Sequence, residues 1–121
     1  MKLETLKSVL AAKKGSVEEY PFGPGAMVWK AGGKIFAIVG IDSDPLSISL
    51  KCDPMEAEAL RAEYKAITPG YHLNKKHWNT VVLDGSVPND LVEDMIDGSY
   101  DLIVKSLSKV DRLHLSNVPP S

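Results

Sequence analysis

Cysteine is almost missing from this chain of 121 residues. Cys52 stands alone, so no internal disulfide can form and the fold must rest on its core. A lone thiol fits a reducing compartment, and a cytoplasmic location is the expectation. Long apolar runs are also lacking. None approaches the ~20 residues that a membrane span needs. The opening MKLETLKSVLAAKK has no unbroken apolar segment of the kind a signal peptide carries, so neither insertion nor export is expected. An excess of one charge is missing too: 14 Lys and Arg stand against 16 Asp and Glu. That balance excludes a uniformly basic nucleic-acid binder, so any such function has to rest on local charge. Repeats, low-complexity tracts and dividing linkers are absent. What remains is one domain over residues 1–110 with a C-terminal tail over 111–121. With 44% hydrophobic residues, it is long enough to bury about two-thirds of its unfolded surface without staples.

The apolar spacing of Leu3, Leu6, Val9 and Leu10 predicts a helix stopped at Gly15. YPFGPG, Tyr20 to Gly25, is turn chemistry. Met27 to Lys30 and Lys34 to Ile41 read as strands joined by a Gly32-Gly33 hairpin turn. Leu46, Ile48 and Leu50 alternate with polar residues in a third strand. Asp53-Pro54-Met55-Glu56 opens a helix, with Asp53 as N-cap and Pro54 at the first helical position; Thr68-Pro69-Gly70 stops it. Tyr71 to Leu73 and Trp78 to Leu83 read as two more strands. Pro88 starts a helix that Gly98 is expected to break, with Ser99 capping a last helix through Tyr100, Ile103, Val104 and Leu107. The signals fade beyond Val110. The expected fold is α+β: a two-layer sandwich of one antiparallel five-stranded sheet with helices on one face, in the order α-β3-α-β2-α2.

Acidic residues are missing from two stretches. None lies between Glu19 and Asp42, where Lys30 and Lys34 stand, nor between Glu63 and Asp84, where Lys65, His72, Lys75, Lys76 and His77 stand. The acids gather on the helices. Two readings compete. A polyanion would be drawn to the strand side and repelled from the helical side. Alternatively, the helix acids serve dipoles and solubility while strand lysines guard sheet edges.

Motifs for chemistry fail one by one. Gly33-Lys34 is followed by Ile35 rather than Ser or Thr, so it is no phosphate loop, and Val28 occupies the third position of a dinucleotide glycine pattern. His72 and His77 are five apart with Lys75 and Lys76 between them, a poor setting for a divalent cation. Cys52 beside the capping Asp53 reads as an inert, largely buried thiol. No metal, no cofactor and no enzymatic activity are expected. Trp29 and Trp78 sit in strands, where an indole is usually core. Trp78 adjoins Asn74, Lys75, Lys76 and His77, however, and cations beside an aromatic suit base stacking.

The run HLNKKHWNTV, His72 to Val81, followed by Leu83-Asp84-Gly85-Ser86 and Pro88, resembles the hallmark of the YjbR/MmcQ family of small bacterial proteins. Lys34-Ile35-Phe36-Ala37, the Ser49 to Pro54 junction and Ser99-Tyr100 resemble further family segments. Gly15 to Glu19 does so as well, with Lys14 where proline is usual. The resemblance implies a two-layer α/β fold laid out like type III secretion chaperones. It also implies a DNA-binding label drawn from a double-wing sheet surface, and it supplies no catalytic residues.

Three functions follow as expectations. The first is a DNA-binding module in which Lys30, Lys34, Lys51, Lys75 and Lys76 contact backbone while His72, Asn74, His77 and Trp78 touch bases. The second is an adaptor for a protein partner. The third is a small-ligand binder with Tyr71, His72, Asn74 and His77 around a pocket. Against all three stands a structural reading, in which Asn74 and His77 satisfy backbone groups and Trp78 plugs the core.

Overall fold

A computed structural model describes residues 1–70 and 73–117. Tyr71 and His72 therefore lie outside the described residues, as do 118–121. Helix α1 (Leu3–Ala11) buries Leu6 and Leu10. The strands β1 (Val17–Glu19), β2 (Ala26–Ala31), β3 (Lys34–Gly40) and β4 (Ser47–Lys51) follow, then α2 (Pro54–Glu63), β5 (Ile67–Pro69) and β6 (Trp78–Val82). Helices α3 (Asn89–Ser106) and α4 (Lys109–Ser116) complete the chain. The strands form one sheet in the order β1-β2-β3-β4-β6-β5, antiparallel at every pairing.

The sheet thus has six strands, not the expected five. The added strand is β1, whose Val-Glu-Glu sequence shows no apolar alternation; it forms because β2 offers it an edge, in the register Val17↔Lys30 to Glu19↔Val28. The fifth strand also moves. It is Ile67–Pro69, paired with Val81 to Asn79, rather than Tyr71 to Leu73, of which only Leu73 is described, and that residue is not in a strand. Ile67 and Thr68 are β-branched and fit the sheet, and Pro69, with no N–H to donate, stands on the edge strand where it is tolerated. The Gly32-Gly33 hairpin forms as expected, with φ of +57° and +82°, the pair of positive values a type I′ turn needs.

Strand alternation sorts the side chains onto two faces. Met27, Trp29, Ala37, Val39, Ile48, Leu50 and Val81 share one face and one core cluster with residues of α1, α3 and α4. A register shift at Trp29/Lys30 leaves Phe36 opposite no residue of β2 and places it in the same core, its ring edge-on to Tyr100 of α3 at 5.4 Å. Val28, Ile38, Ser49, Lys51, Trp78 and Thr80 fall on the other face, where Val28 and Ile38 stand outside the core cluster. Two ion pairs mark the division: Lys7 of α1 meets Glu18 at 3.7 Å, while Lys30 meets Glu19 at 3.4 Å.

Helix α3 runs unbroken through Gly98, contrary to expectation. A helix-interior glycine costs about 1 kcal/mol relative to alanine, and the burial of Val92, Met95, Ile96 and Ile103 along the same helix exceeds that. Ser99 is therefore no cap. Its hydroxyl donates to Phe36 O at 2.6 Å and accepts from Lys51 N at 2.9 Å. Past Val110 the chain is helical to Ser116, because Ser108 caps α4 through Asp111 N and Leu115 is buried.

Candidate functional site

Antiparallel order brings one set of chain turns to the same end of the sheet. The close of β2, the start of β3, the close of β4 and the start of β6 all lie there. So Lys30, Lys34, Lys51 and Trp78 come to one end, across three strand gaps of ~4.8 Å each, or roughly 14 Å. The turns at the opposite end carry Asp42, Asp44 and Asp84. The strand side is thus polarised along its length, which net charge conceals. Behind the lysine end, on the helix side, Asp53 and Glu56 open α2, and Asp53 is engaged as its N-cap by Met55 N and Glu56 N.

The sequence-nominated residues divide once their partners are known. Lys30 is paired with Glu19. Lys34 Nζ donates to Ser106 O and Oγ at 3.0 and 3.2 Å, where it complements the C-terminal end of α3. Both ammonium groups thus already have a partner within the chain. Lys51 is half-buried, stands opposite Trp78 in the ladder and makes no ion pair among the described residues. Lys75 and Lys76 are exposed and likewise make none. His72 lies outside the described residues.

Residues 74–78 form a compact turn. Asn74 O accepts from His77 N at 3.2 Å and Trp78 N at 2.9 Å, and Asn74 Oδ1 accepts from Lys76 N at 3.0 Å. This is the side-chain turn chemistry that suits asparagine. Arg61 donates to Lys75 O, and Cys52 N donates to His77 O at 2.7 Å, so the turn is fixed to both α2 and β4. Asn74 and the backbone of His77 are therefore structural. The turn leaves Lys75 and Lys76 exposed next to the half-buried indole of Trp78.

Cys52 is half-buried just past β4, less covered than the sequence suggests. Burial, reinforced by the carboxylates of Glu56 and Asp53, pushes its thiol up to about 11, so it is uncharged at neutral pH. No cluster of three or more His, Cys, Asp or Glu that could hold a metal occurs among the described residues. No helix among them is long and apolar enough to cross a membrane. The sequence reading missed the role of Ser99 and a cleft between α2 and α3. That cleft is lined by neither Asn74 nor His77, and Tyr71 and His72, the other two residues of the expected pocket, lie outside the described residues.

Comparison with known proteins adds three observations. The YjbR family model matches residues 11–102. An uncharacterised protein of Escherichia coli O157:H7, YbdF, is 40% identical over 93 residues, covering 77% of this chain and 76% of that one; YjbR of Escherichia coli strain K12, also uncharacterised, is 34% identical over 112 residues, covering 93% and 95%. A crystal structure of a Deinococcus radiodurans protein with the DUF419 domain superposes with a TM-score of 0.90 at 41% identity, covering 99% of this chain and 91% of that one.

Proposed function

The chain belongs to the YjbR family, and from that premise we propose that it is a binding module for single-stranded nucleic acid, DNA in the first instance. One observation carries the reading. The sheet face that no helix covers has a half-buried Trp78 beside Lys51, with Lys75 and Lys76 exposed on the adjoining turn. An indole beside unpaired ammonium groups offers a base a stacking partner and its phosphates a counter-charge. The number of free cations argues for a single strand and against a duplex. Three lysines fall short of the ~6–10 phosphate contacts that duplex binders commonly make. Among the described residues, the carboxylate of this face, Glu19, is held by Lys30.

Fluorescence anisotropy with a labelled oligothymidylate tests this. Binding in the ~1–100 μM range at low salt is expected. Affinity should fall with salt at a log–log slope of about −2, the value for three phosphates on a single strand. Lys75→Glu with Lys76→Glu should flatten that slope. No binding below ~100 μM, or a slope indifferent to the double substitution, would sink the proposal.

A second reading, a protein adaptor, is favoured by one feature. The outer edge of β1 is open, and Val17, Tyr20 and Phe22 in and beside it are 52%, 44% and 68% exposed. Such an edge can add a partner strand. A partner recovered from nuclease-treated lysate by the native chain and lost with Phe22→Ser would support it; equal recovery by both would count against it.

A further inference from the structure

On the helix-covered side, away from the sheet face just described, α2 and α3 part to leave a cleft of about 280 Å³. Its floor is the close of β4 at Leu50 and Cys52, and its apolar walls are Leu60 from α2 and Leu91, Met95 and Leu102 from α3. This is near the lower end of the range for small-molecule sites, and well above the ~150 Å³ that holds a benzene ring.

Two features give the cleft a chemistry. First, its rim is acidic in excess: Asp53, Glu56, Asp94 and Asp101 against Lys105, since strand alternation puts the Lys51 side chain on the opposite face of the sheet. Asp53 is occupied as a cap, but Glu56, Asp94 and Asp101 make no ion pair among the described residues. Second, Gly98 lines the cleft from the middle of α3. A methyl group there would meet nothing within 4 Å, so packing does not demand glycine. Glycine weakens the helix at that point by about 1 kcal/mol and leaves the α3 wall one carbon thinner. The omission makes physical sense where something must approach the helix backbone closely.

We propose that this cleft binds a small amphiphilic organic cation, its apolar body lying on Gly98 between the leucines and its ammonium group at the carboxylates of Glu56, Asp94 and Asp101. Cys52, a neutral thiol here, contributes to the apolar floor and forms no bond with the ligand. A neutral ligand would leave the rim uncompensated, and an anion would be repelled by it.

Two probes with one body and opposite charge decide the matter: tryptamine and indole-3-acetate, titrated into the full-length ¹⁵N-labelled chain. Tryptamine should shift the amides of Gly98, Asp94 and Leu60 saturably, and indole-3-acetate should not. Asp94→Asn and Asp101→Asn should each weaken tryptamine by up to about fivefold, the upper end for an exposed ion pair. Gly98→Ala should raise the melting temperature, showing that the variant folds, while weakening tryptamine; Gly98→Leu should abolish its binding. Equal binding of the two probes overturns the proposal, as does the absence of any shift at millimolar tryptamine. It is overturned too if these amides move with protein concentration alone, which would make the cleft an interface between copies.

Discussion

Ser99→Ala removes one oxygen from the centre of the molecule, and its effect can be worked out from the ladder between β3 and β4. That ladder pairs Gly40 with Ser47 and ends at Ala37 with Leu50. At the next step the strands do not bond directly. The Ser99 hydroxyl enters from α3, accepts from Lys51 N and donates to Phe36 O. The side chain is fully buried. Its loss leaves a backbone donor and a backbone acceptor unpaired at once. At about 1–3 kcal/mol per buried unpaired group, and allowing for partial relaxation, the cost is about 2–4 kcal/mol. An unfolding entropy of ~2.1 cal/mol/K per residue over this chain gives about 0.25 kcal/mol/K, so the melting temperature should fall by about 8–16 °C. Thermal unfolding followed by circular dichroism reads that directly. Hydrogen exchange adds a local test, because the Lys51 amide should lose roughly 30-fold or more of its protection for ~2 kcal/mol. A fall of under about 3 °C with Lys51 still protected would refute the claim that Ser99 completes the ladder.

Asp53→Ala deprives Met55 N and Glu56 N of their shared acceptor and should cost about 1 kcal/mol, or roughly 4 °C in melting temperature. Gly32→Ala should destabilise by about 1–3 kcal/mol in the same assay, since φ is +57° and the added carbon would lie 2.6 Å from Leu107 Cδ1. The Cys52 thiol, held at about 11 by burial and neighbouring carboxylates, should react with iodoacetamide at pH 8 at least ~10-fold more slowly than a free cysteine, its rate climbing until the pH passes about 11; a rate that levels off near pH 9 would show an ordinary thiol.

Local rules were legible where the chain supplies its own reason. The Gly32-Gly33 turn, the Asp53-Pro54 cap and the strand carrying Ile48 and Leu50 all reappear in the structure, although Ser49 between those two is buried as well. What escaped the sequence is what the tertiary fold imposes. β1 exists because β2 has a free edge, and Val17–Glu19 carries no pattern of its own. Glycine weakens a helix, so Gly98 reads as a break, yet one residue later Ser99 ties α3 to β3 and β4, and the Tyr100 hydroxyl donates to Lys14 O at 2.6 Å, tying it to the turn after α1. The family-like Ser99-Tyr100 pair is thus a double anchor. The candidate site was half legible. Charge spacing located the lysine end of the sheet, but it could not show that Lys34 is spent on Ser106 and Lys30 on Glu19, since those partners are distant in sequence or hidden in an unrecognised strand. The cleft gave no signal, being a gap between helices that only their packing creates.

Tryptophan fluorescence tests the central claim most directly, because the two indoles differ in access. Trp29 is only 3% exposed within the core, while Trp78 is half-buried on the uncovered face. On titration with unlabelled oligothymidylate, emission should be quenched saturably, with the quench retained in Trp29→Phe and lost in Trp78→Phe. Saturable binding by anisotropy with emission unchanged, or a quench that survives Trp78→Phe, would place the strand elsewhere and contradict the account.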